Sequence, residues 1–216
     1  MVRIALIHAV TVAIEPVQDA FAKTWPEARL MNILDDSLSP DRAESDALTE
    51  RMTRRIADLG QYALSSGADG ILYTCSAFGP AIEAFAATMT APVLKPNEAM
   101  FAQALRLGKR IGMLATFGPS VASMTEEFEQ AAAGSGAKID VVLVEGAMKA
   151  LKQGDADTHN RMLAEASQGL SHCDAVMLAH FSTSRALKSV SQTAKIPVLT
   201  SPESAVSALR HAISRK

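Results

Sequence analysis

The sequence predicts an α/β protein built of two pseudo-symmetric, doubly wound parallel-sheet lobes, an internal duplication with its site in the cleft between the halves. Three observations carry that expectation. Apolar runs of strand length alternate with helical patterns along all 216 residues. Runs such as GILYTC (70–75) and AVMLAH (175–180) are hydrophobic without alternation. That marks parallel strands buried on both faces beneath crossover helices. The chain also repeats itself. Shifted by 105 positions, DGILYTCSAFGPAIEAFAATMTAPVLKPNEAM lies on DAVMLAHFSTSRALKSVSQTAKIPVLTSPESA without a gap. Asp69 meets Asp174, Ala81 meets Ala186, Thr88 meets Thr193, and Pro92-Val93-Leu94 meets Pro197-Val198-Leu199. A shift of 107 sets RIALIHAVT on RIGMLATFG and Phe21 on Phe128.

In the first half, RIALIHA (3–9) reads as a buried first strand, followed by a helix over 13–24 and a strand over 29–34. A helix over 46–66 leads to the strand 70–75. Gly79-Pro80 then opens a helix over 80–89, because proline suits the first helical turn. A strand over 92–95 and a helix over 98–107 complete the half. The second half repeats the order, with strands at 110–116, 140–145, 175–180 and 197–200. Its helices fall at 120–134, 147–170, 184–194 and 203–214. The expected division is 1–108 and 109–216, with the C-terminal helix 203–216 a candidate to pack on the first half.

Hydrophobic residues make up 48% and charged residues 20%, and the charges sum to 21 − 23 = −2. Nucleic-acid and membrane partners both want clustered Lys and Arg, so neither is expected. The densest basic stretch, Arg51 to Arg55, reads as a solvated helix face. No apolar run approaches the ~18 residues of a membrane span. MVRIALIHAV lacks the length and cleavage site of a signal peptide, so the cytoplasm is the expected compartment. Two cysteines, Cys75 and Cys173, are too few for a disulfide framework. A homodimer or higher homo-oligomer is the default assembly.

Ligands of open parallel sheets bind beyond the C-terminal strand ends. The repeat puts Cys75 and His180 at matching ends, as two proton-transfer groups at pseudo-symmetric positions. A helix N-terminus beside Cys75 favours the thiolate. Cys173 matches Ala68 at the opposite sheet edge and reads as an inert core thiol. His8 ends the first strand and is a further candidate. His159, His172 and His211 fall on predicted helices or their ends and read as surface residues. No pair has the spacing of a metal site. Hydroxyls collect at the same strand ends: Thr74 and Ser76, then Thr116, Gly118 and Ser120 in ATFGPS, then Phe181, Ser182, Thr183 and Ser184 after His180. Each hydroxyl alone is an ordinary helix cap. Three such turns together suit a small anion, above all a carboxylate. Specificity is expected from the loop 35–45, where Arg42 is a candidate second carboxylate ligand, and from Glu145 to Met148. No GxGxxG or GxxxxGK[ST] is present, and no lysine suits a pyridoxal Schiff base; Lys95 is nearest, with Thr200 as its counterpart. No cofactor is expected.

With duplicated halves, this length and TCSAFGP (74–80) after the third strand, the chain resembles the aspartate/glutamate racemase superfamily. That group includes glutamate, aspartate, hydantoin and allantoin racemases, maleate isomerase and arylmalonate decarboxylase. The resemblance implies cofactor-independent chemistry. One cysteine, here Cys75, takes the proton from the carbon alpha to a carboxylate, and a second delivers one to the other face. This sequence has His180 where the second cysteine is expected. Racemisation, isomerisation and decarboxylation all stay open, because each passes through an enolate-like species. A Cys–His hydrolase or lyase and a non-catalytic small-molecule binding module are the alternatives.

Overall fold

The computed structural model describes residues 1–215; Lys216, the end of the predicted 203–216 helix, lies outside them. The chain forms two α/β units. One comprises Met1–Pro96 with the segment from Pro202; the other is Asn97–Ser201.

The first unit holds a four-stranded sheet of order β2-β1-β3-β4. Its strands are β1 (Arg3–His8), β2 (Arg29–Leu34), β3 (Gly70–Tyr73) and β4 (Val93–Leu94). All pairings are parallel. Central β1 and β3 are almost wholly buried, whereas edge strand β2 is partly exposed, as expected for a covered parallel sheet. The helices between them are α1 (Ile14–Thr24), α2 (Leu38–Ala43), α3 (Glu50–Ser65) and α4 (Gly79–Ala86).

The second unit repeats the order as β6-β5-β7-β8. These strands are β5 (Arg110–Ala115), β6 (Lys138–Leu143), β7 (Ala175–Leu178) and β8 (Val198–Thr200), again all parallel. Helix α5 (Glu98–Leu107) starts this unit and packs on β7, β8 and α6 (Val121–Ala131). Helices α7 (Ala147–Lys152), α8 (Ala156–Ser167) and α9 (Leu187–Ala194) cover the other side. The last helix, α10 (Ser201–Ser214), packs with the first unit. Leu209 and Ile213 lie over Gly70 of β3, and Arg210 donates to the Thr24 carbonyl at 2.8 Å.

The duplication reaches individual hydrogen bonds. Asp69 accepts from the Arg3 N–H at 2.7 Å, and its own N–H donates to the Arg3 carbonyl at 2.8 Å. Asp174 accepts from the Arg110 N–H at 2.8 Å, and its N–H donates to the Arg110 carbonyl at 2.7 Å. In both units an aspartate ahead of the third strand thus ties down the start of the first.

Four local features differ from expectation. The helix expected over 147–170 is broken: Gly154 adopts φ +85°, and Asp155 caps α8 by accepting from the Thr158 N–H at 2.9 Å. A left-handed residue ends one helix and an N-cap carboxylate starts another. The loop 35–45 contains α2, anchored by Arg55. Arg55 bonds Asp35, Asp41 and Ser37, so it leaves the solvated face that Arg51 and Arg54 keep. Strand β6 begins two residues earlier than expected. His159 is not a surface residue but completely buried. It lies one turn before Leu163 on the face that α8 turns to α9, where the i, i+4 spacing carries it into the core.

Candidate active site

Strands β3 and β7 both stop two residues short of the paired candidates. Thr74-Cys75 and Ala179-His180 continue past them, and each leads into a 3-10 turn, Ser76–Phe78 or Phe181–Ala186. Cys75 (φ −116°, ψ 120°) and His180 (φ −126°, ψ 153°) share an extended backbone. The two residues therefore hold equivalent stations, one in each unit.

In the first unit, Cys75 is half-buried, while Thr74, Ser76, Ala77 and Phe78 around it are buried. Cys75 is thus the more accessible residue of this turn, between buried neighbours. His8 lies opposite Thr74 by continuation of the Ile7–Tyr73 register. Its Nδ1 is 2.9 Å from Thr74 Oγ1, and its Nε2 is 3.1 Å from Asn32 Oδ1. Since Oδ1 can only accept, Nε2 carries the hydrogen and Nδ1 faces the threonine hydroxyl, which also reaches the Ile7 carbonyl at 3.3 Å. Burial pushes the His8 pKa down, against the opposing pull of its Asn32 bond. His8 is a neutral brace between three strand ends.

In the second unit, the Leu114–Leu178 register continues to set Thr116 opposite His180. The Thr116 N–H points to His180 Nδ1 at 3.5 Å, with Thr116 Oγ1 at 3.3 Å. Ser120 Oγ lies 2.9 Å from Nε2 and donates its own hydrogen to the Phe117 carbonyl at 2.7 Å. The serine oxygen must therefore accept from Nε2–H, which leaves Nδ1 as the acceptor. The backbone is held as well: the His180 N–H donates to Thr183 Oγ1 at 3.1 Å, and the Thr183 N–H returns to the His180 carbonyl at 3.0 Å. Burial, helped by His159, lowers the His180 pKa to about 4. At neutral pH the ring is a neutral imidazole with both nitrogens engaged.

The remaining candidates fall around these two stations. Ser76 follows Cys75, Thr116 and Ser120 contact His180, and Ser182 lies two residues after it; all four are buried. Gly118 is exposed at the start of the 3-10 turn Gly118–Ser120. Phe181 is completely buried and forms part of the core. Arg42 is buried at 8% exposure and donates to the Ser45 carbonyl at 2.6 Å, closing α2 onto its own loop. Glu145 is exposed just ahead of α7. Lys95 reaches Glu83 at 3.3 Å. Cys173 is buried, and burial pushes its thiol pKa up, with Asp140 adding to the effect.

Residues 9–170 match the family described as Asp/Glu/Hydantoin racemase. The chain belongs to that family. It is therefore an enzyme of the racemase and isomerase type. No curated protein sequence matches it. Among solved structures it is similar to glutamate racemase from Francisella tularensis, solved with D-glutamate (TM-score 0.80, 10% identity, 99% of this chain and 81% of that one). It is also similar to aspartate racemase from Picrophilus torridus (TM-score 0.77, 17% identity, 99% and 95%). Allantoin racemase from Klebsiella pneumoniae gives a TM-score of 0.74 at 15% identity, covering 100% and 89%. At these identities the likeness is one of fold. Within this racemase-family chain, sequence reasoning missed two arrangements. One is the buried His159 behind His180, signalled only by its place one turn before Leu163. The other is the convergence of Asp140 on His172 and Cys173, for which the adjacent His-Cys pair is a partial signal. No helix among the described residues is long and apolar enough to cross a membrane.

Proposed function

We propose that the protein moves a proton at the carbon alpha to a carboxylate of a small acid or amino-acid-like substrate, without a cofactor, and that Cys75 carries that proton. The observation behind this reading is the setting of Cys75. Cys75 is the half-buried residue on a strand-to-helix turn whose neighbours are buried. In the removal step the C–H bond breaks and the proton passes to the thiolate. The electron pair spreads into the adjacent carboxylate as an enolate-like species, and proton return reverses the sequence. Such a species is stabilised by donors fixed before the reaction begins. Of the groups expected to hold carboxylate or enolate charge, we assign that part to Ser76 and Gly118; Thr116 and Ser120, whose hydroxyls are engaged with His180 and the Phe117 carbonyl, hold that ring in place.

Racemisation requires a second group to serve the other face of the carbon, and His180 stands at the matching station. The test is exchange in heavy water with a panel of amino acids, hydroxy acids, hydantoins and malonates. The wild type exchanges the alpha proton of at least one of them. Cys75→Ser abolishes exchange and turnover; full activity in that variant overturns the reading. His180→Ala abolishes racemisation and leaves exchange on the Cys75 face. Unchanged racemisation would reduce His180 to a structural residue.

The hydrogen bonding of His180 favours a second reading. A neutral imidazole with both nitrogens committed is a poor proton donor. Decarboxylation of a malonate needs one protonation, which the Cys75 thiol alone can supply. Chiral analysis separates the two: a product of a single hand from a disubstituted malonate, with no racemisation of that product, supports the single-thiol decarboxylase.

A further inference from the structure

On the second unit, at the sheet edge opposite Cys75's counterpart, stands a set of donors that the chemistry above does not use. Asp140 on β6 is in register with Gly112 on β5, and Gly112 with Val176 on β7. Glycine leaves that face open between the two strands that flank β5. The Leu170 side chain fills the gap, 2.9 Å from where a Cβ would stand. The 3-10 turn Gln168–Leu170 is thereby seated on the sheet, and the following residues come alongside Asp140. His172 Nε2 lies 2.7 Å from Asp140 Oδ2, and Cys173 Sγ lies 3.9 Å from the same oxygen. The three ligand atoms all fall within 4.8 Å of one another.

We propose that Asp140, His172 and Cys173 bind a single zinc ion, with a water as the fourth ligand. Tetrahedral zinc holds sulfur at about 2.3 Å and nitrogen or oxygen at about 2.0–2.2 Å, which sets its ligands roughly 3–4 Å apart. Small side-chain rotations bring the present spacings into that range. Thiolate and carboxylate together balance the charge of the divalent ion, and the imidazole stays neutral. A thiolate with an imidazole suits zinc, whereas magnesium and calcium require an all-oxygen shell. Cys173 is buried and its N–H is fixed to the Leu170 carbonyl at 2.9 Å. Asp140 and His172 are half-exposed and leave the side open through which ion and water enter. The ion joins β6 to the entry of β7 across β5, so its role is to fasten the sheet edge rather than to act on substrate.

The test uses the full chain after chelator treatment, titrated with cobalt(II) and then zinc. One cobalt per chain is expected, with the near-ultraviolet charge-transfer band of a thiolate ligand, displaced by one zinc. Zinc also raises the melting temperature. Cys173→Ser abolishes the band, and the exposed-site variant His172→Ala weakens zinc binding at least about tenfold. Cys75→Ser leaves band and stoichiometry unchanged. The proposal is overturned if the wild type binds no zinc, if His172→Ala binds it undiminished, or if the band disappears with Cys75 instead of Cys173.

Discussion

Cys75 and Cys173 are the same residue type in opposite surroundings. The first is half-buried at a strand end; the second is 5% exposed, and burial pushes its thiol pKa up. Thiol reactivity follows accessible thiolate. Iodoacetamide is therefore expected to label Cys75 first, read by peptide mass spectrometry in a time course without added metal. Equal or reversed labelling would contradict the assignment of Cys75. His180 gives a pH prediction. Its folded pKa, lowered from 6.5 to about 4, lies below the unfolded value. Between the two, the unfolded chain binds the proton and the folded chain does not, so stability rises with pH there. Its contribution is present above about pH 6.5 and is lost as pH falls toward about 4. At about 1.4 kcal/mol per pH unit it amounts to about 3 kcal/mol. His8 and His159 are lowered by burial too and act in the same direction. Urea midpoints are expected to drop between pH 7 and pH 4.5. The His180 ring resonances in NMR stay fixed from pH 8 down to pH 5.5; titration near 6.5 would refute the buried neutral ring. The repeat made the equivalence of Cys75 and His180 legible in the sequence. The tautomer was not legible, because it depends on register. In the first unit histidine and threonine pair as His8–Thr74; in the second they pair one residue further along, as Thr116–His180. That single step turns the histidine onto the side-chain alternation shared with Cys75.

At the scale of elements, eight strands and their places along the chain could be read from apolar runs of strand length, unbroken in the central β3 and β7. The helical stretches were less exact where a local conformation overrides periodicity. The apolar pattern runs through 147–170, but Gly154 with its left-handed φ of +85° divides it into α7 and α8. A Cβ at Gly154 would meet nothing within 4 Å, so a substitution there tests backbone conformation alone. Gly154→Ala is expected to cost about 1–2 kcal/mol, the usual penalty for an L-residue in that region. The measurement is a shift of the urea midpoint at unchanged slope. A neutral result would mean that the α7–α8 joint relaxes to another turn. The loop 35–45 shows the same limit. Its helix α2 depends on Arg55, a residue of α3 that the local pattern assigns to solvent. Arg55→Met removes the bonds to Asp35, Asp41 and Ser37 together. Protease cleavage is then expected to appear within 35–45 while the rest of the chain resists it. An undigested loop would show that its own turns suffice to hold it.

At the scale of the whole molecule, the repeat implies two similar halves, but the structure distributes the helices that end them unequally along the chain. Asn97–Ser201 is one continuous segment. It contains α5 and α6 over one face of its sheet, with Met100, Phe101, Met124 and Phe128 buried there. Helices α7, α8 and α9 cover the other, with Leu163, Val190 and Ala194 buried. The Ser201 hydroxyl donates to Asn97 Oδ1 at 2.5 Å, joining the two ends of the segment. The first unit is not continuous: it takes α10 from the far end of the sequence. Without α10, the positions filled by Val206 and Leu209, both at 0% exposure, would be open to water. Burying two such side chains is worth roughly 1.5–3 kcal/mol each, a large share of the stability of a small domain. The contacts of Arg210 with Thr24 and the Trp25 ring, 5.9 Å from the guanidinium, would go with them. Residues 97–201 expressed alone are therefore expected to unfold cooperatively in urea and to give dispersed amide resonances. Residues 1–96 alone are expected to do neither. Their fold returns when residues 202–215 are attached ahead of residue 1 through a flexible linker, because both termini of that fragment then lie within the same unit. If 1–96 folds unaided, α10 is an accessory to the first sheet rather than part of its core. If 97–201 fails to fold, the second unit depends on surfaces outside its own sheet and helices.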